Sequence, residues 1–121
     1  MAGKTPEEVL EALGTALRAG DAEGATALFS REACFLTPDS TVIQGRTRIR
    51  DFLRQLVELA EELRIEQRTI FIAGDVAVGQ ESWNLLVGTG ESAVRRTSRS
   101  TIVLGRIEEV WRIAVVDPWR I

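Results

Sequence analysis

Two acidic residues in the second half of the chain, Glu81 and Asp117, are the side chains best suited to chemistry, because the sequence holds no histidine and no tyrosine. That absence removes the commonest metal ligand and the one side chain that titrates near neutrality. Zinc, haem and Ser-His or Cys-His catalysis are therefore not expected, and no cofactor is. Acid–base work falls to carboxylates. A carboxylate drawn out of water into an apolar interior has its pKa raised, which suits a general acid or base. The single cysteine, Cys34, excludes an intramolecular disulfide and sits in an apolar stretch, where it reads as an inert thiol.

Strands must position these groups, and in a strand neighbouring side chains face opposite sides. Over Val76 to Val87 the bulkier set, Glu81, Trp83, Leu85 and Val87, is expected to face inward, against Gln80, Ser82 and Asn84. Over Ala93 to Leu104 the inward set is Arg96, Ser98, Ser100, Ile102 and Leu104. In the last strand it is Trp111, Ile113, Val115 and Asp117, continuing to Trp119. Inward residues must meet inward residues across each hairpin. Pairing Val87 with Ser92 puts Glu81 opposite Ser98 and Trp83 opposite Arg96. Pairing Leu104 with Trp111 puts Ser98 opposite Asp117. Glu81, Ser98 and Asp117 would then form one row, with the carboxylates' strands about 10 Å apart. A β-bulge would shift that row by one residue. Trp83 and Trp119 read either as ligand-stacking walls or as plain core.

Helices come first in the chain. Thr5, Pro6 and Glu8 form a capping box ahead of Val9, Leu10, Leu13 and Leu17, which share one helical face; Gly20 ends this helix and Asp21 opens a shorter one through Phe29. Ala33 to Thr37 and Thr41 to Ile43 read as two short strands around a Pro-Asp-Ser turn. From Arg46 to about Leu63 the apolar residues recur at helical spacing. The remainder, Arg64 to Ala73, Val76 to Val87, Ala93 to Leu104 and Val110 to Asp117, is strand-like, broken by glycine-bearing loops.

At 121 residues and 45% hydrophobic the chain fits one domain, 1–121, with one core. It has no apolar leader and no membrane-length apolar run, so a soluble, cytoplasmic protein is expected. A net charge of -3 argues against nucleic acid, and the Arg95, Arg96, Arg99 cluster is read as solvated or paired.

The pieces RAGDAEGATALF (Arg18 to Phe29), CFLTPDSTVIQGRTRIRDFL (Cys34 to Leu53), GDVAVGQESWNLLVGTG (Gly74 to Gly90), SRSTIVL (Ser98 to Leu104) and VWRIAVVDPW (Val110 to Trp119) together resemble the NTF2-like cone, in particular its SnoaL-like and ketosteroid-isomerase-like members. The resemblance implies an α+β fold in which N-terminal helices pack on a curved, mainly antiparallel sheet and enclose a pocket. The ketosteroid isomerases' oxyanion-hole tyrosine falls near Leu13, their proton-shuttling aspartate at Thr37 and their protonated aspartate near Ser100. None of the three is kept, so that reaction is not expected, while Thr37 and Ser100 remain candidates to line the pocket. The carboxylate, arginine and carboxylate of limonene-epoxide-hydrolase-like cones find Glu81, Arg96 and Asp117, although Ser98 stands where one carboxylate would be expected.

These readings combine into an expected site with Asp117 and Glu81 as catalytic residues and Trp83, Arg96, Ser98, Ser100, Trp119 and Thr37 as ligand contacts. The ligand expected is a small apolar or amphipathic molecule, with carboxylate-assisted isomerisation, cyclisation or hydration as the chemistry. The alternative is a non-catalytic dimeric binding or assembly module with a filled pocket. An open mouth reaching Glu81 or Asp117 would favour the first, a sealed cavity the second. A homodimer is expected through the outer sheet face, where Val110, Ala114 and Val116 would point outward.

Overall fold

The first helix, α1 (Pro6–Arg18), starts where its cap dictates: Thr5 Oγ1 accepts from Glu8 N and Glu8 Oε1 accepts from Thr5 N, each at 3.1 Å. The computed structural model in which this is seen describes residues 3–37, 39–88 and 90–120, with the side chains of Glu61 and Arg120 left aside. Asp21 caps α2 (Ala22–Thr26) by accepting from Gly24 N at 2.9 Å. This helix is shorter than its sequence suggests, because Phe29 already belongs to β1 (Phe29–Leu36) and pairs with Ile113. A turn leads to β2 (Val42–Gln44), and Gly45, at φ 92°, opens α3 (Arg46–Leu59). Arg46 Nε donates to Phe29 O at 2.9 Å and ties the start of α3 to β1.

Four long strands follow: β3 (Ala60–Ala73), β4 (Val76–Val87), β5 (Val94–Ile107) and β6 (Val110–Arg120). The sheet order is β2-β1-β6-β5-β4-β3, and only β1 and β6 pair in parallel, so the six strands make a curved, unclosed, mixed sheet. Helix α3 stops four residues before the helical spacing ends. Ala60 pairs with Val87 and Leu63 with Leu85, so ladder pairing overrides a pattern that both periods satisfy. The helices bury Val9, Leu10, Leu13, Ile49 and Leu53 against Trp83, Ile102, Leu104 and Ile113 of the sheet. Helix α1 packs very close to β4, since a Cβ on Gly79 would lie 2.7 Å from Leu10 Cδ1. Among the described residues no helix is long and apolar enough to cross a membrane.

Two registers differ from the sequence-based expectation. Between β4 and β5 Val87 pairs with Val94 rather than Ser92, a slip of two that keeps every side chain on its expected face. Glu81 therefore lies opposite Ser100, Trp83 opposite Ser98 and Leu85 opposite Arg96. The β5–β6 turn shrinks to Glu108 and Glu109, both left-handed at φ 53° and 69°, and Leu104 meets Ile113 rather than Trp111. A bulge then leaves Ala114 without a partner position, between Leu104↔Ile113 and Val103↔Val115. Beyond it the faces exchange. Val116 is buried, and Asp117 lies opposite Thr101 on the outer face. The expected row of Glu81, Ser98 and Asp117 does not form, and Val116 is not part of the outer face.

Candidate functional site

Glu81 is carried inward by β4 and its side chain is fully buried. A second bulge supplies its partner. Between Glu66↔Ser82 and Thr69↔Gln80, two residues of β3, Gln67 and Arg68, oppose Glu81 alone, and Gln67 takes a left-handed φ of 54°. The bulge sends Gln67 outward, where Ser82 Oγ donates to its Oε1 at 3.0 Å, and aims Arg68 inward. Arg68 Nε donates to Glu81 Oε2 at 2.6 Å and Arg68 Nη1 to Glu11 Oε1 of α1 at 2.6 Å. The other Glu81 oxygen accepts from Trp83 Nε1 at 3.0 Å. Burial works against the Arg68 cation, but the hydrogen bonds and charges of Glu81 and then Glu11 outweigh it and hold Arg68 above the usual arginine range. A chain of charge thus runs from exposed Glu11 through Arg68 to sealed Glu81.

The remaining expected residues separate into three groups. Ser100, opposite Glu81, is completely buried and its hydroxyl finds no partner among the described residues. Trp83 is wholly enclosed core, and Ser98 Oγ donates to Pro118 O. Thr37 belongs to the β1–β2 turn, where its Oγ1 donates to Asp39 and accepts from Thr41 N at 3.1 Å. It does not line the cleft described next.

Arg96 and Trp119 line an open cleft of about 550 Å³ between α3 and the ends of β4, β5 and β6. Phe52, Leu56, Leu59 and Leu85 supply its apolar walls, and Gln55, Ser92 and Arg96 its polar groups. The Arg96 guanidinium lies over the Trp119 ring, 6.0 Å from its centroid, and Trp119 Nε1 donates to Leu36 O. A second lobe of about 420 Å³, beside Arg18 at the end of α1, shares Leu56 and Leu85 as a common wall. Glu81 lines neither lobe.

Sequence reasoning missed Arg68 as the ion-pair partner and α3 as the cleft wall. The signal for Arg68 was present: apolar residues stand at odd positions, Leu63 and Ile65, and then at even ones, Ile70 and Ile72. Such a parity change inside one strand marks a bulge. No comparable signal marks the β6 bulge, because Val115 and Val116 are equally apolar.

Helices covering one face of a curved, unclosed six-stranded sheet define the NTF2-like class, with its cystatin-like fold. Within it the chain belongs to the SnoaL-like domain family, which matches residues 7–116. Comparison with curated proteins yields no match. Among solved structures, the chain is similar to a proposed dehydratase of the NTF2-like family from Streptomyces avermitilis, at 16% identity and TM-score 0.78, over 93% of this chain and 91% of that one. A proposed calcium/calmodulin-dependent protein kinase type II association domain from Thiobacillus denitrificans gives 20% identity and TM-score 0.78, over 94% and 93%. An NTF2-like protein from Novosphingobium aromaticivorans gives 18% and 0.76, over 92% and 76%. At these identities the likeness is one of fold.

Proposed function

We propose that this protein binds a small, mostly apolar molecule in the cleft at the open end of its cone. The observation that carries the reading is the cleft itself, about 550 Å³ in volume and walled by Phe52, Leu56, Leu85 and Trp119, within the size range of small-molecule sites. Trp83 and Trp111 are buried, so Trp119 is the tryptophan that a cleft ligand would touch. The test is a screen of apolar small molecules by tryptophan emission, repeated on Trp119→Phe, with calorimetry on Leu56→Trp, which fills the cleft. Ligands that bind Leu56→Trp as well as wild type would overturn the reading.

Carboxylate-assisted isomerisation, cyclisation or hydration is a second reading, favoured by the buried Ser100 hydroxyl, which lies opposite Glu81 without a partner among the described residues. It requires Arg68 to leave Glu81, with Glu11 as its remaining anchor. Asp117, on the outer face, takes no part in it. Glu81→Gln that keeps ligand binding and loses turnover would carry this reading. Unchanged turnover in that variant would end it.

A homodimer through the outer sheet face belongs to the same proposal. Phe71, Val78, Val103, Val115 and Cys34 occupy one transverse register row on that face. Phe71 is 60% exposed, and such a row is better covered than wet.

A further inference from the structure

We infer that the cleft takes monoanionic amphiphiles, an apolar body ending in a carboxylate, and that Arg96 is the residue that reads the head. This rests on the binding reading above and specifies its ligand class. Among the described residues that line the cleft, Arg96 is the one charged group and none is acidic. Other arginines on the strands beside the cleft are committed, Arg64 and Arg95 to Glu62 and Arg68 to Glu81 and Glu11, while Arg31, Arg99 and Arg112 do not line the cleft. Among the described residues Arg96 joins no ion pair. It is exposed, and its guanidinium rests on the Trp119 ring, which the bond to Leu36 O fixes in turn. A guanidinium held by its face keeps its N–H edge for an acceptor, and a carboxylate fits that planar fork with two parallel hydrogen bonds.

The rest of the cleft excludes other classes. A ligand that is polar throughout would leave the walls of Phe52, Leu56 and Leu85 wet, and a cation would meet Arg96 with no carboxylate among the described lining residues to offset it. The adjoining lobe holds Arg18, which among the described residues joins no ion pair, and Glu62, whose charge is offset by Arg64 and Arg95, so that lobe does not place an unpaired carboxylate beside the mouth. Only an anion with an apolar body satisfies both the walls and the rim.

Calorimetric titration of the protein with decanoate, decanol and decyltrimethylammonium varies the head on a constant body. Decanoate is expected to bind about 10-fold or more tightly than decanol, as a charge-assisted hydrogen-bonded pair allows. Decyltrimethylammonium should bind most weakly, and the decanoate preference should shrink as salt is raised. Arg96→Gln, a change at an exposed site, should bring decanoate down to the decanol value of the same variant. Arg96→Lys, with charge but no fork, should keep part of the preference. Equal affinity of wild type for decanoate and decanol, or a preference that survives Arg96→Gln, overturns the inference and leaves the binding reading standing. If none of the three binds, or if decanoate binds Leu56→Trp undiminished, both fail.

Discussion

Arg68 shows how one side chain decides what a carboxylate can do. Its removal would strand the Glu81 charge in a site that water does not reach, and breaking a buried pair from one side is costly. Arg68→Met is expected to destabilise the fold by about 3 kcal/mol, towards the lower end of such effects because Arg68 itself is partly exposed. Removing both charges as Arg68→Met with Glu81→Leu should recover most of that loss, which urea denaturation of the two variants will measure. Asp39 is the opposite case, an exposed carboxylate whose pKa is lowered by hydrogen bonds from Thr37 and then Thr41 in the β1–β2 turn. Because the folded state binds this proton more weakly than the unfolded chain, the stabilisation is full above about pH 4 and is lost as pH falls through the lowered folded value. The difference in denaturation midpoint between wild type and Asp39→Ala should therefore hold steady from about pH 5 to 8 and narrow as the pH falls below about 4.

Among the elements, α1 and β4 meet with no room for a side chain at Gly79. Gly79 faces Leu10, which is fully buried, so an added methyl at 2.7 Å must displace the leucine or the helix. Gly79→Ala is expected to cost about 1 to 3 kcal/mol, the range for overpacking a tight core. In a Leu10→Ala background the same change should cost much less, and a double-mutant cycle by chemical denaturation would measure that coupling. Equal cost in both backgrounds would mean that the glycine is needed for its backbone rather than for its lack of a side chain. The bulges work at this scale too, since each turns one face of a strand into the other and so selects which charges enter the cone.

For the whole molecule, the question is what covers the outer face of the sheet. The transverse row from Phe71 to Cys34 crosses five of the six strands, and its flank at Thr69, Gln80, Thr101 and Asp117 is polar. That arrangement of an apolar centre with a polar rim suits an isologous interface. Wild type is expected to sediment as a dimer at micromolar concentration, and Val103→Glu, at the centre of the row, as a monomer with unchanged circular dichroism. Wild-type monomer under those conditions would remove the outer face from any account of function. The cleft opens among α3 and the ends of β4, β5 and β6, so it would stay accessible in such a dimer.

Features under the control of local chemistry and periodicity are legible in the residues alone. The Thr5 and Asp21 caps, the buried face of α1, the α+β order and the inward parity of Glu81, Trp83 and Ser100 all follow from neighbours within a few residues. Absolute register was beyond the reach of such neighbours. A slip of two between β4 and β5 keeps parity, and a Glu-Glu pair gives no hint of a two-residue left-handed turn that ordinarily asks for Asn-Gly. The fates of the two carboxylates were settled by the pairing of distant strands. Curvature placed a bulge at Ala114 that turned Asp117 outward, and another at Gln67 that brought Arg68 onto Glu81. The first leaves no trace within β6, while the second leaves a parity change within β3; in both, which residue the turned side chain meets depends on long-range pairing between strands.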